Sequence, residues 1–551
     1  MDSSLRGSIL PGSHSGTVKQ LALAVLVLLL AAQPAPGQTP TAGGWLNLRL
    51  REDLPQGFAI HESPTISTMW PAMPCLSNLV LFDPLKTTHT AEAVIGELAE
   101  KWSWQDNYRN LVFFLRADVK WHDGRPFTAR DVTYTFDMLR EAPDAPKLRL
   151  NPRRDWWANV ASIDAVDPRT VIFRLKRPQP SLLLMLASGF TPIYAAHVPA
   201  ASYRTGCIGT GPFKLKEWRR GEFVEYVKNP DYFVKGRPYL DGLRYQVIRE
   251  RSTATAALQT RRVDVAFPGD TTKTIADQLK RAVPSLSVTP VGTAVVDHVL
   301  INTTRPPFDN VKVRKALDRA IDRHALIEAV YQGGAATGAA MAPKPLGVWG
   351  LLEGEVRALP GLGRPAEEKA KARALLAEAG FGSGNPLKLE LQTRGLPAFL
   401  DLASFLATEL KGAGVEVTVK QVETSLWEPQ KIRREFLFGA DRTSMEPDDP
   451  DATFYEHYAC GSPRAYHGYC DPELTKLIEQ QSQELDRARR LVLVQTIQRK
   501  LADAAVSPIL CWRLDYFTLW PYVKNLVPHH SLYGWGRLQD VWLDPALTPR
   551  P

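Results

Sequence analysis

The side chains of this 551-residue sequence that could do chemistry gather in a few places. The run Ser444-Met445-Glu446-Pro447-Asp448-Asp449-Pro450-Asp451 holds four carboxylates in eight residues. Proline and aspartate are also the ordinary residues of solvated turns, so this density alone does not make a site. His122-Asp123 precedes Gly124 and fits turn chemistry better than metal binding. His529-His530 has no carboxylate beside it in sequence and reads as structural or exposed. Gly209-Thr210-Gly211 runs straight into Pro212, so no helix begins there to hold a phosphate, and a glycine turn before a strand is the simpler reading. The sequence has no GxSxG elbow, no HExxH pair and no Walker A loop. Binding is therefore the expected role, with no catalytic residue, no metal site and no cofactor; an exported hydrolase is the weaker alternative.

The elements that would position these groups can be read from periodicity and punctuation. Trp45 to Leu50 alternates apolar and polar residues, the mark of a strand with one buried face, and Leu111 to Leu115 and Val171 to Leu175 read similarly. Thr128-x-x-Asp131 makes a capping box and predicts a helix from about Ala129 to Arg140. Phe213 to Trp218 and Phe223 to Val227 flank Arg219-Arg220-Gly221-Glu222 as a hairpin. Asp309 is positioned to cap a helix carrying Val313, Leu317, Ala320 and Ile321. Pro365 opens another helix, which Gly380 closes, and Gly414 precedes the alternating Val415, Val417 and Val419. Asp471-Pro472 and Asp486 each start a helix. Helices and strands are mixed throughout, and the class is α/β or α+β.

The N-terminus carries an address. Arg6 and Lys19 precede an apolar run, Leu21 to Ala32, followed by the small, turn-prone Gln33 to Gln38. This is the pattern of a secretory leader cut after Gly37, so residues 1–37 are read as a signal peptide. A run of that length covers only ~18 Å as a helix, short of a ~30 Å hydrocarbon core. Export places the five cysteines in an oxidising compartment, where an odd count leaves at least one unpaired. Cys460 and Cys470 bracket the turn-rich Gly461-Ser462-Pro463, so a disulfide is expected between them. The formal net charge of +8 is spread along the chain with no basic block, which argues against nucleic acid. The chain is also too long for one core, so two or three lobes are expected.

Five segments, in order, resemble the bacterial extracellular solute-binding proteins, family 5, which include dipeptide-, oligopeptide- and nickel-binding proteins. Leu115 to Val132, with Lys120-Trp121-His122-Asp123-Gly124-Arg125-Pro126-Phe127 at its centre, is similar to the family's signature stretch. Gly209-Thr210-Gly211-Pro212-Phe213 resembles its GTGPF block, and Asn229 to Asp241 the segment after it. Pro307 to Leu317 and Ala370 to Gly380 resemble two of its helices.

The resemblance implies a type II periplasmic-binding-protein fold, α/β, with two hinged lobes plus an extra lobe. The first lobe would be discontinuous, 38–62 with 206–293 and 520–551; the extra lobe would span 63–205 and the second lobe 294–519. Crossings between the main lobes are expected near Val291–Asp297 and Trp512–Phe517. The implied role is a periplasmic monomer that captures a short peptide between the lobes and delivers it to the permease subunits of an ABC importer. The alternative is the same role for an oligosaccharide, an opine, a metal chelate or haem. In peptide-binding members an Asp just before an acidic-Pro step holds the ligand ammonium; counting back from Pro450, that position here is Glu446, one methylene longer, with Asp448 and Asp449 beside it. Arg442 is a candidate for a ligand carboxylate through its fork of N–H donors. Trp427 and Trp70 are candidates for the cleft wall, since flat side chains give contact area at low entropy cost.

Overall fold

The protein is described by a computed structural model covering residues 39–87, 89–531 and 536–548; the leader and its cleavage point lie outside the described residues. Among the described residues no helix is long and apolar enough to cross a membrane.

Three sheets organise the chain. In the first, Trp45–Leu50 lies parallel to Gly242–Val247, and the hairpin Phe213–Arg219 with Phe223–Lys228 completes the order. The alternation read from sequence is real: Leu46, Leu48 and Leu50 are fully buried while Trp45 stays partly exposed. The second sheet has six strands, in the order Ala335–Ala336, Ile509–Leu519, Ser287–Ile301, Phe438–Ser444, Leu387–Arg394 and Val415–Val422. Helices Val311–Ala320, Pro365–Glu378 and Pro397–Lys411 carry Leu317, Ala372 and Leu406 into its core. The third sheet pairs Ala99–Gln105, Asn110–Leu115, Thr170–Leu175 and Val160–Asp167. Helix Ala129–Leu139 packs Phe136 edge-on to Phe173 and Trp157 there.

Two strands are long enough to serve both main sheets. Ser287–Ile301 pairs with Ile509–Leu519 over most of their length, and the register breaks between Gly292 and Val296. Val265 bridges both Leu48 of the first sheet and Leu519 of the long strand. Such a break leaves a short stretch free of ladder bonds, the local softness a hinge requires.

Most punctuation signals sit where the sequence puts them. Thr128 and Asp131 form the capping box, Pro365 opens its helix, and Asp471 and Asp486 accept first-turn N–H bonds. One differs: the helix Val311–Ala320 is capped by Asn310, whose side chain accepts from the Lys312 N–H, and not by Asp309.

Two disulfides are present. Cys460 and Cys470 are bonded across their short loop. Cys75 and Cys207, 132 residues apart, form a second bridge that spacing alone could not reveal. Beside it, the Gly211 N–H donates to the Cys75 carbonyl at 2.9 Å. A Cβ on Gly209 or Gly211 would collide with the Cys75 backbone, at 1.7 Å and 2.5 Å from its nearest atoms. The Gly-Thr-Gly turn is thus a seat for this bridge. Cys511 is unpaired and fully buried.

Candidate ligand-binding site

The strand Phe438–Ser444 lies inside the six-stranded sheet, and its residues from Phe438 to Thr443 are buried on both faces. Gly439 is required there, because a Cβ would meet the Gln392 carbonyl at 2.9 Å and the Trp427 ring at 3.2 Å. Alternation then sends Asp441 and Arg442 to opposite faces. Asp441 accepts from the Trp427 indole N–H at 3.0 Å and from Lys431, and lies 3.5 Å from the Arg394 guanidinium. Burial alone would raise its carboxyl, but Lys431 and Arg394 hold it well below the usual carboxylate range. On the other face, Arg442 donates to Asp297 at 2.8 Å and to the Tyr331 hydroxyl at 3.4 Å.

Of these, Arg394, Lys431 and Arg442 line a cavity whose about 500 Å³ of empty space includes its opening to solvent. The wall is assembled from distant parts of the chain: Arg51 after the first strand, Thr65 and Ile66, Pro268 and Gly269, and Arg394, Phe399, Lys431, Arg442 and Arg513. A second cavity of about 650 Å³ shares Arg51 and Phe399 with it and adds Arg49, Arg249 and Arg251. Partly exposed ion pairs, Arg249–Glu423 at 3.1 Å and Arg251–Asp401 at 2.7 Å, cross between the same regions. Exposed pairs of this kind hold the edges in register and contribute little energy, about 0–1 kcal/mol each.

The residues singled out by sequence divide into three groups. Arg442 lines the cavity, with Asp297 already beside it. Trp70 and Trp427 are not on its wall, which corrects the sequence expectation: both are fully buried. Trp70 packs edge-on to Tyr245 and Phe267, and Trp427 sits over Gly439 with its N–H on Asp441. Large apolar rings release more area from water inside a core than on a wet wall, and Phe399 takes the wall position.

The acidic run has internal duties. Asp449 caps the helix Pro450–His457 and takes a bidentate pair from Arg490 at 2.7 and 3.0 Å. Asp448 accepts the Val348 N–H at 3.0 Å. Asp451 receives Gln179, Ser181, Gln481 and Ser482, tying the third-sheet region to the second. Of the carboxylates in the run, Glu446 keeps a buried oxygen, Oε2, with no hydrogen-bond partner among the described residues, as does the Ser444 hydroxyl. Burial pushes its carboxyl far up, and Ser531 and Arg153 offset this only in part. His529 is buried rather than exposed, bonded to His89 and to the Pro84 carbonyl.

Arg51, Arg394, Lys431 and Arg513 were missed by the sequence reading. Their signal was available in part: Arg513 and Asp515 interrupt the apolar run Ile509–Leu519, as Asp297 and His298 interrupt Ser287–Ile301. Charges inside an otherwise buried strand are costly and must be paired or used.

Two main sheets joined by two long strands, an appended third region and a cavity between them define a type II periplasmic-binding-protein architecture. The oligopeptide-binding protein AppA of Bacillus subtilis, solved with a nonapeptide, superposes with a TM-score of 0.79 at 24% identity, over 92% of this chain and all of that one. The chain belongs to the bacterial extracellular solute-binding proteins, family 5, whose middle region matches residues 93–464. It is 28% identical to the probable di/tripeptide-binding protein 5 of Pseudomonas aeruginosa, over 87% of this chain and 91% of that one. It is also 30% identical to heme-binding protein A of Haemophilus influenzae, over 52% of this chain and 54% of that one.

Proposed function

We propose that this protein captures a short peptide outside the cytoplasm and delivers it, as a monomer, to the permease of an ABC importer. The mature chain starts near Gln38 in this reading. The observation that carries it is the cavity walled by charged side chains from both main sheets' segments, Arg51 on one side and Arg394, Lys431, Arg442 and Arg513 on the other, in a chain similar to a di/tripeptide-binding protein along nearly its whole length. A peptide buried there needs a counter-charge at each end. Arg442 and its neighbours answer the carboxylate. Glu446 is not on the wall itself but lies two residues beyond the wall residue Ser444; its buried oxygen without a partner supports it as the group that meets the ammonium at the far end of the ligand. Closure of the lobe spanning 294–519 onto the rest, about crossings near Val291–Asp297 and Trp512–Phe517, would seal the ligand from water.

A non-peptide solute is the second reading, favoured by one feature. The single acidic residue on the cavity wall, Glu428, is already bonded to Arg394 at 2.8 Å and to Lys431 at 3.1 Å. Native mass spectrometry of protein purified from its own source separates the two. The expected result is an added mass matching a short peptide, lost on mild unfolding. A retained haem, sugar or metal chelate would overturn the peptide reading, and a cleaved peptide product would point to a hydrolase.

A further inference from the structure

With the cavity taken as the ligand site, as proposed above, the charge on its wall restricts what can enter. Six basic side chains line it, Arg51, Arg394, Lys431, Arg442, Arg464 and Arg513, against Glu428 as the one acidic residue. Most have a counter-ion behind the wall: Arg51 pairs with Asp270, Arg442 with Asp297, and Arg464 with Glu456. Arg513 is different. It is 2% exposed, its Nη1 donates to the Gly269 carbonyl at 2.8 Å, and among the described residues it has no ion pair with a carboxylate. An opposite charge acting on it is Asp515, which shares Gly269 with it and whose carboxyl burial pushes up to about 6, so the guanidinium is only partly compensated.

Unmet donors cluster on the same wall. Arg513 Nε, Arg442 Nη1, and Arg394 Nε and Nη1 are buried with no hydrogen-bond acceptor, although Arg394 lies at ion-pair distance from Asp441 and Glu52. These three arginines come from three strands of one sheet, Leu387–Arg394, Phe438–Ser444 and Ile509–Leu519. Guanidinium nitrogens only donate, so whatever completes them must accept. Amide carbonyls of any peptide could take an N–H, but they bring no negative charge to a wall with six basic side chains and one acidic one. One carboxylate pairs side-on with one guanidinium fork and leaves donors on the others unanswered. We infer that the cavity selects ligands carrying at least two carboxylate groups; for a peptide, that means an acidic residue in addition to the C-terminus.

The test is calorimetric titration of ligand-stripped protein with matched probes: Ala-Glu against Ala-Gln, the corresponding tri- and tetrapeptides, and the non-peptide acids glutarate and citrate. The acidic peptides should bind roughly 10- to 100-fold more tightly than their amide counterparts, the scale of a charge-assisted hydrogen bond in a buried site. That acid-over-amide ratio should fall toward one in Arg513→Gln and in Arg394→Gln, and Arg513→Lys should keep more of it than Arg513→Gln. Because the ratio is internal to each protein and is read first on wild type, a variant that fails to fold does not remove the test. If Ala-Glu and Ala-Gln bind alike, along with their longer counterparts, the two-carboxylate inference is overturned while the peptide reading stands. If no peptide binds but citrate or glutarate does, the peptide reading falls and the two-carboxylate inference is upheld. If nothing binds, both fall.

Discussion

Glu446→Gln should weaken binding of the best free peptide by roughly two to four decades, the equivalent of the about 3–5 kcal/mol lost when one partner of a buried charge pair is removed. The size follows from where the carboxyl sits. It is 6% exposed, one oxygen has no partner, and burial holds it protonated well above the ordinary carboxylate range. An arriving ammonium reverses that preference and favours the ionised form. Binding therefore releases a proton, and affinity should rise with pH until the free carboxyl is itself ionised. The glutamine variant lacks this proton, so its affinity should be flat over the same range. N-acetylation of the peptide should weaken wild type strongly and the variant much less. Calorimetry in buffers of different ionisation enthalpy reads the released proton directly. Equal affinities for free and acetylated peptide, with no proton release, would contradict the assignment of Glu446.

Loss of the Cys75–Cys207 bridge should cost about 5 kcal/mol, the largest single stability effect expected outside the hydrophobic cores. Its loop spans 132 residues, and the chain-entropy cost of closing a loop grows with the logarithm of its length. The short Cys460–Cys470 loop should contribute about 2–3 kcal/mol by the same reasoning. The longer bridge also fixes the start of the third region against the Gly209-Thr210-Gly211 turn, where the Cys75 carbonyl accepts the Gly211 N–H. Urea unfolding of Cys75→Ser/Cys207→Ser beside wild type measures the effect as a lower midpoint. An unchanged midpoint would show that the native packing of Gly209 and Gly211 on Cys75 suffices without the bond.

Local order in this protein is largely written in local sequence. The alternation from Trp45 to Leu50, the Thr128–Asp131 capping box and the caps at Asp471 and Asp486 involve residues within a few positions of each other. The shift from Asp309 to Asn310 is a one-residue error between two side chains that cap equally well. Topology is another matter. Trp45–Leu50 pairs with Gly242–Val247 across nearly two hundred residues, and no periodicity in either segment names its partner. The family resemblance supplied that arrangement.

The site was less legible, for a physical reason. Arg394 ends a strand that alternates apolar residues with Lys388, Glu390 and Gln392, Arg513 interrupts a mostly apolar one, and side-chain alternation does not say which charge is solvated and which is walled in. Asp449 and Asp451 look like a ligand cluster in sequence. In the fold they cap a helix and receive Arg490, Gln179 and Gln481. Trp70 and Trp427 have the residue type of a cleft wall and the burial of a core.

The central claim is that the cavity between the sheets holds a short peptide. Titrating ligand-stripped, folded protein with a pool of di-, tri- and tetrapeptides that includes acidic sequences tests it most directly. The expected result is saturable binding at one site per chain, with a negative heat-capacity change from buried apolar surface. Absence of heat and of any rise in melting temperature across the whole pool would contradict it.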